Sequence, residues 1–142
     1  MRGRLTATNV IAATTVAAFL VLILTGNLEN ATMFAGFIPA RLALYLPIKT
    51  LPFWLTPLSA TLVHGGFAHL LMNMILLVWC GREVERVLGP GPVILLYIVG
   101  AYFAAAGQYV LDPMSATPMI GASGAISALV GAYALSFSRP KP

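Results

Sequence analysis

A chain of 142 residues that is 59% hydrophobic and 8% charged, with a mean hydropathy of +0.90, excludes a water-soluble globular domain and indicates a membrane protein. The net charge of +4 and isoelectric point near 9.6 do not point to nucleic acid, because the eight basic residues are spread among long apolar runs rather than gathered in a patch. The single cysteine, Cys80, has no partner and no Cys/His spacing around it, which excludes an internal disulfide and a structural zinc site and leaves it as a small apolar filler.

Four segments approach the ~20 apolar residues that a spanning helix needs: Asn9 to Thr25, Gly66 to Gly81, Val93 to Leu111 and Met119 to Phe137. The first resembles a signal peptide in that Arg2 and Arg4 precede an apolar core, but no small-x-small site follows, so a retained anchor is expected. Between the first two segments, Gly26 to about Gly65 is too apolar for an aqueous linker, and Pro39, Pro47, Pro52 and Pro57 prevent another uninterrupted span. Short interfacial helices are expected there, with Trp54, Tyr45 and Phe53 at headgroup depth and Arg41 and Lys49 reaching water. The Asn30-Ala31-Thr32 sequon within it is a weak glycosylation signal.

Charge sets the orientation. Arg2 and Arg4 precede the first segment, Arg82 and Arg86 follow the second, and Arg139 and Lys141 follow the fourth, which puts all six on one side of four crossings. The positive-inside rule makes that side cytoplasmic, with both ends inside and Asp112 in an outer turn.

Polar groups inside a membrane segment cost several kcal/mol if unsatisfied, so each needs a reason to be there. His69 and Asn73 are four apart and share one helical face in the first two turns of the second segment, roughly 5 to 10 Å deep at 1.5 Å per residue. Ser123 lies about one turn into the fourth, which enters from the same side, so the three share a depth and suggest one site in the outer half of the membrane. A packing reading stays open at this point: His69 and Asn73 as helix glue, and Ser123 in a small-residue row with Ser127 and Gly131. The stretch "GASGA" fails the G-x-S-x-G nucleophile elbow of soluble hydrolases at Ala125, and no strand precedes it.

"HGGFAHLLMNM", then "GREVERVLG", then "GASG", with "GFIPARL" upstream, together resemble the rhomboid family of intramembrane serine proteases in motif and order from Gly36 to Phe137. The resemblance implies an all-α polytopic membrane bundle of four transmembrane helices with a long interfacial first loop, one membrane domain over residues 1–142. It implies that Ser123 is the nucleophile, attacking a peptide carbonyl in a transmembrane or juxtamembrane segment of a substrate. His69 and Asn73 would then stabilise the oxyanion together with the Ser123 amide. Gly121 and Gly124 would permit close approach, Glu85 would hold a helix end and loop, and His64 would order the first loop, with a water-satisfied loop histidine as its plain alternative. Expected partners are membrane lipid and a transmembrane protein substrate, with no cofactor, metal or nucleic acid, and the expected location is a bacterial inner membrane.

A serine hydroxyl needs a base. In the family that base is a histidine on the sixth helix, and this sequence has no histidine after His69. The expectation is that residues 1–142 lack the C-terminal third of the family pattern, with a non-cleaving protein that binds transmembrane segments as the alternative function.

Overall fold

The computed structural model describes residues 6–44 and 46–138, so Arg2, Arg4, Tyr45, Arg139 and Lys141 lie outside the described residues. Those described are helical apart from loops and one isolated bridge, with no strand among them: α1 (Ala7–Leu24), α2 (Leu28–Ala35), α3 (Thr56–Ser59), α4 (Phe67–Leu88), α5 (Pro90–Leu111) and α6 (Ser123–Phe137). Three of these, α1, α4 and α5, are long and apolar enough to cross a membrane.

The helix limits follow local chemistry. At the start of α1 every free amide has an acceptor: Asn9 N–H reaches the Thr6 hydroxyl at 3.1 Å, while Ala7 and Thr8 N–H donate to the Glu85 carboxylate at 2.7 and 2.9 Å. The Thr8 hydroxyl adds a third bond to Glu85 at 2.7 Å. Helix α4 does not stop at Gly81 but runs on through "GREVERVL", because its charged turn still closes backbone bonds after the apolar run ends. Gly89, at φ +87, makes the reversal into α5, where Pro90 occupies a first-turn position that needs no N–H.

Glu85 therefore pins the start of α1 to the end of α4. Glu85→Ala is expected to lower stability by about 2–3 kcal/mol, the scale of hydrogen bonds to a charged group. Thermal unfolding in detergent checks this against Glu83→Ala, since among the described residues Glu83 pairs only with the exposed Arg86.

The connection from α1 to α4 forms short helices, with 3-10 turns at Pro39–Leu42, Phe53–Leu55 and Ala60–Leu62 between them. Trp54 is exposed. Arg41 corrects the expectation that it reaches water: its guanidinium donates to the Leu51 carbonyl at 3.1 Å and lies 5.6 Å from the Phe53 ring centroid, closing the loop on itself. Lys49 is exposed.

The core lies between α4, α5 and α6, around Leu77, Val84, Val93, Tyr97, Ile126 and Leu129. Polar side chains are buried with it, among them Thr8, Thr15, Thr56, His64 and Asn73, while Phe103, Leu111, Trp79 and Leu135 face outward. An apolar exterior over a partly polar interior is what a hydrocarbon surrounding demands. Helices α5 and α6 meet through small residues: a Cβ on Gly100 would lie 2.8 Å from Ala128 Cβ, and one on Gly124 would collide with Ala104 Cβ. That contact uses Gly124 and Ala128 rather than the row of Ser123, Ser127 and Gly131. Ser123 and Ser127 are exposed, and Gly131 has open space where a Cβ would stand.

Candidate active site

The segment Met119–Ala122 is extended or turned, and Ser123 is the first residue of α6 rather than one turn inside it. Tertiary pairing causes the difference. Phe37 and Met119 exchange two backbone bonds, 3.0 and 2.8 Å, and Gly121 N–H donates to the Ala60 carbonyl at 2.9 Å. These bonds hold the chain out of helical geometry until residue 123, and Gly121, at φ +103, supplies the left-handed turn that releases it.

Two histidines close around that turn. His64, fully buried in the loop ahead of α4, accepts a 3.4 Å hydrogen bond at Nε2 from the Ala122 amide. His69, in the first turn of α4, packs its ring on Gly121, where a Cβ would come within 2.6 Å of both Cε1 and Nε2. The rings stand edge to face with centroids 5.0 Å apart, and His69 Nδ1 accepts from the Gly65 amide at 3.4 Å. Asn73 is buried one turn below, and its amide donates to the His69 carbonyl at 2.8 Å.

Burial, joined by the nearby His69 and partly opposed by the Leu62 carbonyl, which closes no hydrogen bond to Nδ1, pushes the His64 imidazole down to about 4. A neutral ring is also what an acceptor at Nε2 requires. Because the folded value lies below the free histidine value of about 6.5, the unfolded chain binds the proton first. The stability His64 contributes is thus complete above about pH 6.5 and declines as pH falls toward 4. The melting temperature in detergent should drop over that window, and His64→Gln, which keeps an acceptor but does not titrate, should flatten the drop.

Ser123 is exposed at the N-terminus of α6, where no side chain caps the helix and Ile126 N–H, bonded to the Ala122 carbonyl, is the first amide with a partner inside the turn. The amides of residues 123–125 point out of the helix start and form its positive end. A cavity of about 90 Å3 beside it is lined by Ser123, Gly121, Gly124 and Thr61. The structure thus brings His64, His69 and Gly121 into contact at the doorstep of Ser123. Among the described residues, neither His69 nor Asn73 is hydrogen-bonded to the Ser123 hydroxyl. Glu85 stands at the α1 end of α4, at the opposite end of that helix from His69. No local sequence pattern signals the Ala122 amide bond to His64, a contact between residues far apart in the chain.

An all-helical chain with apolar spans, buried polar groups and an exposed serine at a helix N-terminus defines a membrane protein with a polar site within its bundle. A family model described as the Rhomboid domain matches residues 51–141. YdcA of Bacillus subtilis (strain 168) is 35% identical over 80 residues, covering 56% of this chain and 40% of that protein. The rhomboid protease GluP of the same organism is 35% identical over 79 residues, 56% of this chain and 15% of its own length. Rhomboid-related protein 2 of Mus musculus is 30% identical over 102 residues, 72% of this chain and 32% of that protein. The chain belongs to the rhomboid family. It spans 15% to 40% of the length of these relatives, which come from a bacterium and a mammal and so do not single out a bacterial membrane.

Proposed function

We propose that residues 1–142 carry the nucleophile and oxyanion-binding residues of a rhomboid-type intramembrane serine endopeptidase. The observation that carries this reading is the rigid Gly121–Ser123 turn, gripped by His64 and His69, which leaves Ser123 at the open N-terminus of α6. In the proposed reaction Ser123 Oγ adds to the carbonyl carbon of a substrate peptide bond as its proton passes to a general base, the role that the family resemblance gives to a histidine not found in residues 1–142, and from there to the leaving nitrogen. The carbonyl oxygen becomes an oxyanion facing the Ser123 amide and the His69 and Asn73 side chains. Collapse expels the amine carrying a proton, and water then hydrolyses the acyl-serine ester. In this reading α6 completes a four-span bundle. Its 15 residues give about 22 Å of helix, less than the ~30 Å core, and the extended Met119–Ala122 segment makes up part of the depth. In this reading α1 begins and α6 ends on the cytoplasmic side, the side that receives Arg82 and Arg86, and the substrate is a transmembrane segment approached through lipid.

A second reading, binding of transmembrane segments without cleavage, is favoured by one observation. Of the two histidines in the sequence, His64 has its Nε2 occupied by the Ala122 amide and His69 rests on Gly121, so neither is placed as a base for Ser123. The two readings separate in proteoliposomes holding a transmembrane reporter and the protein produced from its own gene. The protease reading expects cleavage that falls about 10²–10³-fold in Asn73→Ala, the cost of one oxyanion donor. Reporter binding without cleavage selects the second.

A further inference from the structure

We infer that the groove between α1 and the short helices of the first connection is a phospholipid site, with one acyl chain lying along α1 and the phosphate at a mouth formed by Lys49, Asn27 and Asn30. Nothing in the catalytic reading uses this region, and the inference does not depend on it.

Three hollows on that side run into one another. The first, about 510 Å3, lies between Val10 and Ile11 of α1, Leu55 and Leu58 of the connection, and Ile94 of α5. It shares Thr14, Leu51, Ser59 and Leu62 with a second hollow of about 650 Å3 that continues past Ala17 and Ala18 to Leu22. The second shares Ala31 and Phe34 with a third, about 520 Å3, at whose rim stand Asn27, Asn30 and Lys49. Almost all the lining of the first two is carbon; the third is where polar groups enter.

Length and charge decide the occupant. From Leu22 back to Val10 the groove follows α1 for about 18 Å at 1.5 Å per residue. That matches the depth of one leaflet, about half of a 30 Å hydrocarbon core. Ala17 and Ala18 put small side chains in the wall of the groove. The mouth lies just beyond the C-terminal end of α1, where a headgroup would sit. Lys49 is exposed there and makes no ion pair among the described residues. Asn27 and Asn30 each spend one amide N–H on a neighbour, to the Thr25 carbonyl at 3.3 Å and to Asn27 Oδ1 at 3.4 Å, and keep the other. Donors and one cation around an opening that leads into a carbon-lined slot fit a phosphate ester with an acyl tail. Glu29, in the first turn of α2, does not line the mouth. A bare helix would fill the slot but leave the Lys49 end unused.

The test is native mass spectrometry of the detergent-purified protein titrated with phosphatidylglycerol. One lipid should be retained per chain, and diacylglycerol of the same chain length, which lacks the phosphate, should bind about tenfold more weakly, the scale of one charge-assisted contact. Lys49→Glu should weaken retention to a similar degree, and Ala17→Phe should weaken it by filling the slot. Both positions are exposed, and the Lys49→Glu result stands even if Ala17→Phe fails to fold. Equal retention in the wild type and Lys49→Glu, or equal retention of diacylglycerol, would overturn the inference and leave only annular lipid. So would a dimer that Ala17→Phe dissociates without change in lipid retention, since the groove would then seat a second copy of the chain.

Discussion

Gly121→Ala is expected to abolish function and to destabilise the fold by about 2–4 kcal/mol, combining a non-glycine residue at positive φ with an overpacked contact. Both terms are local and neither is easily relieved. At φ +103 a Cβ crowds its own carbonyl, and the space it would enter holds the His69 ring at 2.6 Å. His69 cannot swing away freely, because its Nδ1 accepts from the Gly65 amide and its ring stands edge to face with His64. The backbone cannot shift either without giving up the Gly121–Ala60 bond and the Phe37–Met119 pair. The variant should therefore unfold earlier in detergent and lose the turn that presents Ser123. Gly131→Ala, placed in open space within α6, should change neither.

Ser123→Ala should leave stability nearly unchanged while removing peptide-bond cleavage by about 10⁴-fold or more, the usual consequence of deleting a covalent nucleophile. The separation is expected because the Ser123 hydroxyl makes no hydrogen bond among the described residues: it is exposed, and the bond at this residue runs from the Ser127 hydroxyl to the Ser123 carbonyl, which alanine retains. A packing serine would show the reverse pattern, a stability loss with no effect on cleavage. Comparing melting temperature and reporter cleavage in one preparation reads both quantities.

Hydropathy and the charge pattern made the three long helices legible, since a run of apolar residues near 20 has few other uses. The same signal misjudged where helices end. Apolar content marks the membrane boundary, whereas α4 continues seven residues past Gly81 because charged turns in water still form helix. The start of α6 was not legible at all, because it is set by Phe37 and Ala60, distant in the chain, through backbone bonds that carry no side-chain signature. Which small residues pack was also hidden: Ser123, Ser127 and Gly131 form as regular a row as Gly124 and Ala128, and only the position of α5 decides between them. The sequence names the candidate residues through the His69–Asn73 spacing and the "GASG" stretch. Their organisation was not legible, since the grip of His64 on the Ala122 amide exists only once the loop has folded over.

The most direct measurement is the intact mass of the membrane protein, produced from its own gene, after exposure to a fluorophosphonate, a reagent that forms an ester only with an activated serine. A single adduct that maps to Ser123 and disappears in Ser123→Ala is the predicted result. An unmodified wild-type protein, or an adduct that persists in Ser123→Ala, would contradict the assignment of Ser123 as the nucleophile.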